Sequence, residues 1–213
     1  MKKPLAIDLF CGLGGWTEGL LLEGYDVIGF DIERHDYGTG GYSAQLVIQD
    51  VLTLHGSQFK DAALIVASPP CQQYSYLSMP WSRESIKSQR AQILRAKAMR
   101  QKWLADGPDN RLFDACRRIA IESGVPTVIE NVRGAEEWVG RAKWSSGSFY
   151  LWGDVPAIMP KIAPRKGFAA KFGDKAMAVD RGPFGSLQRK AWSARIAKIP
   201  LALSRHIGRV YHP

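Results

Sequence analysis

Residues 4–10 read PLAIDLF and residues 11–15 read CGLGG, and these two segments decide the fold. The apolar run predicts a buried β-strand, and the glycines that follow it predict a tight turn. A short helix is expected over residues 17–23, and it ends at Gly24. A strand, a glycine-rich turn and a helix form the start of a βαβ unit, whose turn lets a ligand approach the backbone closely.

Strands and helices alternate along the rest of the chain. The predicted strands cover residues 26–30, 45–48, 62–67, 127–129 and 148–152. The predicted helices cover residues 83–104, 109–122 and 201–211, and Asp109 is the expected N-cap of the second. Residues 154–190 are rich in glycine, proline and lysine and show no clear period. The alternation predicts an α/β fold with a mainly parallel, doubly wound sheet.

Acidic or reactive side chains follow several of the predicted strands. They are Asp31, Asp50, Cys71 and Glu130. In doubly wound sheets ligands bind at the carboxyl edge of the strands, so we expect these side chains to line one site.

The positive charge of the chain is concentrated in two blocks. The 213 residues carry a net charge of +9, of which residues 83–102 contribute +6 and residues 156–213 contribute +10. Residues 1–82 and 103–155 are mildly acidic, with net charges of −5 and −2. Basic blocks on an acidic body indicate a polyanion partner such as nucleic acid. A solvated helix face and a flexible basic tail are the alternative.

Cysteine usage and hydropathy exclude several other classes of protein. The three cysteines are far apart and form no CxxC pair, so neither a disulfide framework nor a zinc site is indicated. The apolar runs are too short for a membrane span, and Asp8 interrupts the first one too early for a signal peptide. A reducing, cytoplasmic location is expected.

The glycine turn with Asp31 is by itself compatible with several ligands. Nucleotide and S-adenosylmethionine sites share it, and a turn that binds nothing is a further alternative. The third glycine of a dinucleotide fingerprint would fall at position 17, which is Thr17, and the turn has no Walker lysine. Nicotinamide and ATP sites are therefore disfavoured.

Three segments read together resemble the motifs of one family. DLFCGLGG at residues 8–15, SPPCQQYS at 68–75 and IENV at 129–132 resemble, in order, the cofactor loop, the Pro-Cys-Gln motif and the Glu-Asn-Val motif of the cytosine-specific carbon-5 DNA methyltransferases. The resemblance covers residues 4–134 well and 196–211 loosely. It implies the Rossmann-like fold of S-adenosylmethionine-dependent methyltransferases, with that cofactor and its product S-adenosylhomocysteine. The cofactor residues that it implies are Phe10, Cys11, Gly12, Leu13, Gly14, Asp31, Ile32, Asp50, Val51 and Pro70.

The resemblance also implies the catalytic residues. Carbon-5 of cytosine is a poor nucleophile until a thiolate adds at carbon-6, and in the family that thiolate is the Pro-Cys-Gln cysteine, here Cys71. A buried, inert thiol is the alternative. Glu130 takes the place of the glutamate that protonates nitrogen 3, since burial at a strand end can raise the pKa of a carboxyl. A salt-bridged strand-end glutamate is its alternative. Cys11 and Cys116 are expected in a pocket wall and a helix core.

The chain departs from the family pattern in three places. Ser146 and Ser148 stand where the family's Gln-x-Arg-x-Arg motif places arginines, and Arg141 or Lys143 is the candidate substitute. The late Gly-Asn motif is replaced by IAKIP at residues 196–200. Residues 154–195 leave room for only a reduced recognition segment. The expected organisation is a catalytic domain over 1–153, a basic recognition-like segment over 154–195 and a C-terminal helix over 196–213 that packs back on the catalytic domain.

The expected nucleic-acid contacts come from three parts of the chain. Arg133 either binds phosphate or braces its loop, and the basic residues of 83–104 either bind phosphate or are solvated. The candidate substrate residues are Gln72, Ser75, Asn131, Arg133, Arg141, Arg90, Arg95 and Lys97.

The sequence thus predicts a monomeric DNA cytosine-5 methyltransferase of a phage or bacterial restriction-modification type, with DNA as its partner. It is expected in the cytoplasm of a bacterium or a phage-infected cell, away from membranes. Methylation of cytosine in RNA is one alternative. A DNA-binding protein that keeps the fold but has lost turnover is the other.

Overall fold

The computed structural model describes residues 2–37, 40–72, 74, 107–162 and 186–213. The strands are β1 Leu5–Leu9, β2 Asp26–Asp31, β3 Gln45–Ile48, β4 Leu64–Ala67, β5 Thr127–Asn131, β6 Trp144–Ser146 and β7 Phe149–Gly153. The α-helices are α1 Gly15–Leu22, α2 Arg111–Ser123, α3 Glu136–Val139, α4 Leu187–Ala197 and α5 Leu201–Val210. Short 3-10 helices lie at Val51–Thr53, Gly56–Phe59 and Arg133–Ala135.

The strands form one seven-stranded sheet in the order β3-β2-β1-β4-β5-β7-β6. β1 pairs in parallel with β2 and β4, and further parallel pairs join β2 to β3 and β4 to β5. β7 is antiparallel to both of its neighbours, β5 and β6. The predicted α/β class with a mainly parallel, doubly wound sheet is confirmed. The strand order, with β1 between β2 and β4, gives the Rossmann-like architecture that the resemblance implies.

The sheet separates two apolar clusters, one on each face. One cluster contains Phe113, Cys116 and Ile119 of α2 together with residues of β1, β4 and β5. The other contains Trp16 and Leu20 of α1 with Leu203 and Ile207 of α5. Strands with a core on both faces need apolar side chains pointing both ways, which explains the continuous apolar run of β4.

Helix α5 lies on α1 although about 180 residues of sequence separate the two. The Tyr25 hydroxyl donates to the carbonyl of Gly208 over 2.9 Å, and the hydroxyl of Ser204 donates to the carbonyl of Trp16. Arg205 and Arg209 both pair with Glu23, whose side chain is 13% exposed. The last helix therefore completes one face of the sheet.

Several predicted elements differ from the structure. The Asp109 cap is wrong, because α2 starts at Arg111 with Asn110 at the N-cap. Asp109 instead pairs with Arg111, whose backbone amide and guanidinium both donate to it. Strand β4 starts at Leu64 rather than residue 62.

One strand and two α-helices were not predicted. β6 has only three residues, two of them serine, and α3 has only four residues. α4 has a scattered apolar pattern and starts inside the region 154–190 that was read as aperiodic. The predicted helix 83–104 lies outside the described residues. None of the helices in the described ranges is long and apolar enough to cross a membrane.

Candidate active site

The glycine turn after β1 has an unusual backbone conformation. Phe10, Gly12 and Gly14 have φ values of 57°, 50° and 71°. The amide of Gly14 donates to the carbonyl of Cys11 over 2.7 Å, which closes the turn. Positive φ strains most L-residues, so glycine at positions 12 and 14 lets the chain turn directly from β1 into α1. The turn lies at the carboxyl edge of the sheet, as the sequence predicts.

Asp31 at the end of β2 is tied to this turn. The backbone amide of Gly12 donates to Oδ2 of Asp31 over 2.9 Å, and that of Ile32 donates to Oδ1 over 2.8 Å. Nε2 of His35 lies 3.3 Å from the same Oδ1. Each carboxylate oxygen has two lone pairs, so Oδ2, which accepts one hydrogen bond, still has accepting capacity. Asp31 therefore shapes the glycine turn and can also accept hydrogen bonds from a ligand.

The other predicted cofactor residues after β2 and β3 differ in exposure. Ile32 is 70% exposed and presents an apolar side chain to solvent. Asp50 caps the 3-10 helix Val51–Thr53, because its Oδ1 accepts from the amide of Leu52 over 2.9 Å. Val51 is only 2% exposed and packs into the core, so its side chain offers little surface to a ligand.

The segment after β4 is fixed by contacts from three directions. The Ser68 amide donates to the Leu9 carbonyl over 3.1 Å, and Nε1 of Trp16 donates to Oγ of Ser68 over 3.0 Å. Nδ2 of Asn131 donates to the Pro69 carbonyl over 3.0 Å. Asn131 is 1% exposed and lies at the end of β5. Its amide thus braces the segment that carries Cys71.

Cys71 is the most accessible of the three cysteines. It is partly exposed, whereas Cys11 and Cys116 are buried. Burial raises the pKa of all three thiols, and that of Cys71 reaches about 11. Cys116 packs inside α2 and donates to the Leu112 carbonyl, as expected for a helix core residue. Accessibility thus distinguishes Cys71 from the other two thiols.

Glu130 acts electrostatically on Cys71. It lies in β5, is 9% exposed and is paired with Leu151 of β7. After burial, the negative charge of Glu130 is the second cause that raises the Cys71 pKa. β4 and β5 are parallel neighbours, so their carboxyl ends lie side by side. The sheet therefore brings together the thiol and the carboxyl that the sequence singles out.

A cavity of about 150 Å³ lies beside this segment. Pro69, Pro70, Gln72 and Tyr74 form one wall, and Asp109, Leu112 and Phe113 form the other. The predicted residues Pro70 and Gln72 thus line a concave surface next to Cys71. Gln72 and Pro70 are themselves exposed.

The first part of this chain matches a known family model. The family model of the C-5 cytosine-specific DNA methylases matches residues 5–98, which include the glycine turn, Asp31 and Cys71. A search of curated protein sequences finds no significant match.

Several solved methyltransferase structures are similar to this chain. A prophage-encoded E. coli protein described as a DNA modification methyltransferase has 23% identity and a TM-score of 0.42, covering 65% of this chain and 35% of its own. S. pombe Dnmt2 has 20% identity and a TM-score of 0.35, with coverages of 64% and 36%. Entamoeba histolytica EhMeth has 18% identity and a TM-score of 0.43, with coverages of 76% and 57%. The chain thus spans about a third of the length of the first two.

The remaining predicted residues are either exposed or outside the described ranges. Arg133 begins the 3-10 helix Arg133–Ala135, and Arg141 lies between α3 and β6. Both are exposed. Ser75, Arg90, Arg95 and Lys97 lie outside the described residues.

The segment that replaces the late Gly-Asn motif contacts the glycine turn. A methyl group at Gly15 would come within 2.5 Å of the Ile199 amide nitrogen, and Lys198 pairs with Glu18 of α1. Residues 198–199 therefore lie against the start of α1, next to the glycine turn. They make this contact although the segment lacks the glycine and the asparagine of the family's late motif.

A buried polar network beneath the glycine turn was missed by the sequence analysis. The Thr17 hydroxyl donates to Oδ2 of Asp8 over 2.6 Å, and the Tyr42 hydroxyl lies 2.5 Å from the Thr17 hydroxyl. The Tyr42 ring packs at Gly14. Burial raises the pKa of Asp8 to about 7. The sequence signal for this network was the acidic residue Asp8 inside the otherwise apolar strand β1.

Proposed function

We propose that this chain transfers a methyl group from S-adenosylmethionine to carbon-5 of cytosine in DNA, with Cys71 as nucleophile and Glu130 as proton donor. One observation carries the proposal: adjacent parallel strands bring Glu130 close enough for its charge to raise the pKa of Cys71. A thiol and a carboxyl in electrostatic contact are the groups that covalent activation of cytosine needs.

The residues at the carboxyl edge fit the cofactor. The glycine turn leaves the backbone at Gly12 partly exposed, Asp31 has a free lone pair for a hydroxyl donor, and Ile32 offers an exposed apolar surface. We assign the hydroxyl groups of the cofactor ribose to Asp31, and its adenine to the region of Ile32 and Asp50. The bound cofactor supplies an electrophilic methyl group.

The chain's own residues account for the activation of the base. The Cys71 thiolate adds to carbon-6 of a flipped cytosine while Glu130 gives a proton to nitrogen 3, so that carbon-5 becomes enamine-like. After carbon-5 has gained the methyl group, a water molecule takes the carbon-5 proton, the bond from sulfur to carbon-6 breaks, and the thiolate leaves. Nitrogen 3 returns its proton to Glu130. Cys71 is unchanged at the end of the cycle.

The electrostatic interaction between Glu130 and Cys71 links the ionisation of the thiol to the protonation of the carboxyl. Two negative charges close together repel, so a negative charge on Glu130 adds to the effect of burial in raising the pKa of Cys71. When Glu130 carries a proton, that repulsion is gone and the thiolate forms more readily. The nucleophile is thus activated in the same state in which Glu130 can donate a proton to cytosine.

The charge distribution supports a nucleic-acid substrate. Residues 83–102 and 156–213 carry net charges of +6 and +10, on a chain of net charge +9. The first block follows Cys71 directly in sequence. We assign phosphate contacts to these blocks, a reduced recognition role to residues 154–195, and a cytoplasmic, monomeric form acting on bacterial or phage DNA.

Methylation of a plasmid in expressing cells tests the proposal. Bisulfite sequencing of DNA from wild-type cells is expected to show protected cytosines in a defined context, and Cys71→Ser is expected to remove them. Cys116→Ala, a matched change at a buried thiol, is expected to keep them. Methylated RNA with unmodified plasmid would favour the RNA alternative. Nucleic-acid binding without methylation of DNA or RNA would favour the inactive binding protein.

A further inference from the structure

Tyr74 joins three parts of the candidate active site. It lies three residues after Cys71 and is 2% exposed. Its backbone amide donates to the carbonyl of Cys71 over 3.0 Å. Its hydroxyl donates to Oδ1 of Asn110, at the start of α2, over 2.8 Å. The Cys71 turn is thus attached to α2 through one side chain.

The backbone of Tyr74 also lies against the loop that follows Glu130. A methyl group at Gly134 would overlap the carbonyl oxygen of Tyr74, so only glycine allows this approach. Gly134 belongs to the 3-10 helix Arg133–Ala135, which comes directly after β5. Tyr74 therefore contacts the segments of both the proposed nucleophile and the proposed acid.

The bond to Asn110 has no evident role in the helix itself. Asn110 occupies the N-cap position of α2, but its side chain makes no capping hydrogen bond. Its oxygen accepts from Tyr74 instead. Burial raises the pKa of Tyr74 to about 12, so the hydroxyl keeps its proton and remains a donor over the whole working range.

We propose that Tyr74 is a positioning residue that holds Cys71 at a fixed distance from Glu130 through its bond to Asn110 and its packing on Gly134. This inference rests on the proposed function, since it assigns Tyr74 to the same reaction. Without the hydroxyl bond the turn at Cys71 loses its side-chain attachment to α2, while the bond from Asn131 to Pro69 and the bond from Trp16 to Ser68 remain. The thiol then becomes more accessible and less well placed for attack.

Two rates test the proposal because they are expected to move in opposite directions. The first is alkylation of each cysteine by iodoacetamide as a function of pH, followed by peptide mass mapping. The second is covalent trapping on DNA that contains 5-fluorocytosine, in the presence of S-adenosylmethionine. For Tyr74→Phe and Asn110→Ala we expect faster alkylation of Cys71, at a lower apparent pKa, and trapping slower by about tenfold.

Matched variants distinguish an effect on the position of Cys71 from a general loss of stability of the fold. Asn110→Asp keeps the acceptor oxygen and is expected to restore trapping. Tyr25→Phe removes a comparable buried hydrogen bond, that to Gly208, on the other face of the sheet, and is expected to leave both rates at the wild-type value. Cys11 and Cys116 are internal controls whose alkylation is expected to stay slow.

Two results would overturn the assignment of Tyr74. One is a Tyr74→Phe variant that matches Tyr25→Phe in both rates. The other is faster alkylation of all three cysteines together, which would indicate loss of stability alone. Failure of the proposed function has a different signature: the wild type would form no adduct, while Tyr74→Phe would still speed alkylation of Cys71 alone, in support of the positioning role.

Discussion

The backbone amide of Gly12 donates a 2.9 Å hydrogen bond to Oδ2 of Asp31, and this bond joins the glycine turn after β1 to the end of β2. The same carboxylate accepts from the amide of Ile32. Asp31 therefore has two roles in the proposed cofactor site, because it shapes the turn and keeps lone pairs for a ligand.

Replacement of Asp31 by alanine is expected to weaken binding of S-adenosylmethionine by on the order of 1–3 kcal/mol, because a charged hydrogen-bond acceptor is lost. Isothermal titration calorimetry measures this directly. Asp26→Ala, at the exposed opposite end of β2, is the matched control and is expected to bind as the wild type does. Unchanged affinity in Asp31→Ala, or a preference for a nicotinamide dinucleotide, would refute the cofactor assignment.

Removal of the charge at Glu130 is expected to affect two properties of Cys71 in opposite ways. In Glu130→Gln the repulsion that raises the thiol pKa is lost, so the pKa falls below about 11, while burial still keeps it above the ordinary value of 9.0. Alkylation of Cys71 at pH 8 therefore becomes faster. Methyl transfer becomes slower, because an amide is a poor proton donor.

The exposed Glu137→Gln provides the control, with both rates expected to match the wild type. An alkylation profile of Glu130→Gln that overlays the wild-type profile would show that the two groups are not coupled.

Asp8 is expected to make stability depend on pH. Its folded pKa of about 7 lies above the ordinary 3.8, so the folded chain binds more protons than the unfolded chain between these values. Its contribution is therefore favourable at low pH and is lost as pH rises through about 7. Among the described residues Oδ1 of Asp8 has no hydrogen-bond partner, so its ionised form is poorly compensated.

Urea unfolding of Asp8→Asn, at pH 4 and at pH 8.5, measures this contribution. Asparagine resembles the protonated acid, so we expect wild-type stability at pH 4 and a gain of a few kcal/mol over the wild type at pH 8.5. Asp61→Asn, at an exposed position before β4, controls for the change in net charge. A difference between Asp8→Asn and the wild type that is the same at both pH values would contradict the expectation.

The basic block after Cys71 predicts salt-dependent binding of DNA. Log affinity should fall with log salt by about 0.9 per phosphate contacted on duplex DNA. Charge reversal at Arg90, Arg95 and Lys97 is expected to flatten this slope and to leave cofactor affinity unchanged. The same reversal at the exposed Lys2, Lys3 and Lys60 is expected to have little effect on the slope. Equal slopes for the two triple variants would support the solvated-helix alternative.

The parts of the site that follow directly from strand ends could be predicted from the sequence. An apolar run shows a buried strand, and in a parallel sheet its last residue lies at the ligand-binding edge. Asp31, Cys71 and Glu130 were placed by this rule, and the structure puts Cys71 and Glu130 on neighbouring strands. The local sequence pattern was sufficient because the carboxyl ends of parallel strands lie at the same edge of the sheet.

Contacts between distant segments could not be predicted in the same way. Three contacts depend on tertiary packing: the hydrogen bond between Tyr42 and Thr17, that between Tyr74 and Asn110, and the packing of Ile199 on Gly15. In each pair, the sequence around one residue does not indicate the other. The cap of α2 was misplaced by one residue because the Asp109 side chain pairs with Arg111. A three-residue strand such as β6 is too short to show a period.

The most direct test of the central claim is covalent trapping of the wild-type chain on DNA with 5-fluorocytosine, followed by mass mapping of the adduct. Fluorine cannot leave carbon-5 as a proton does, so the enzyme is expected to remain bonded to the base in an adduct that requires S-adenosylmethionine and survives denaturation. The account predicts attachment at Cys71. The adduct is expected to be lost in Cys71→Ser, because a serine hydroxyl is hardly ionised at neutral pH. It is expected to be retained in Cys11→Ser and Cys116→Ser. An adduct at Cys11 or Cys116, or methyl transfer by Cys71→Ser at the wild-type rate, would contradict it.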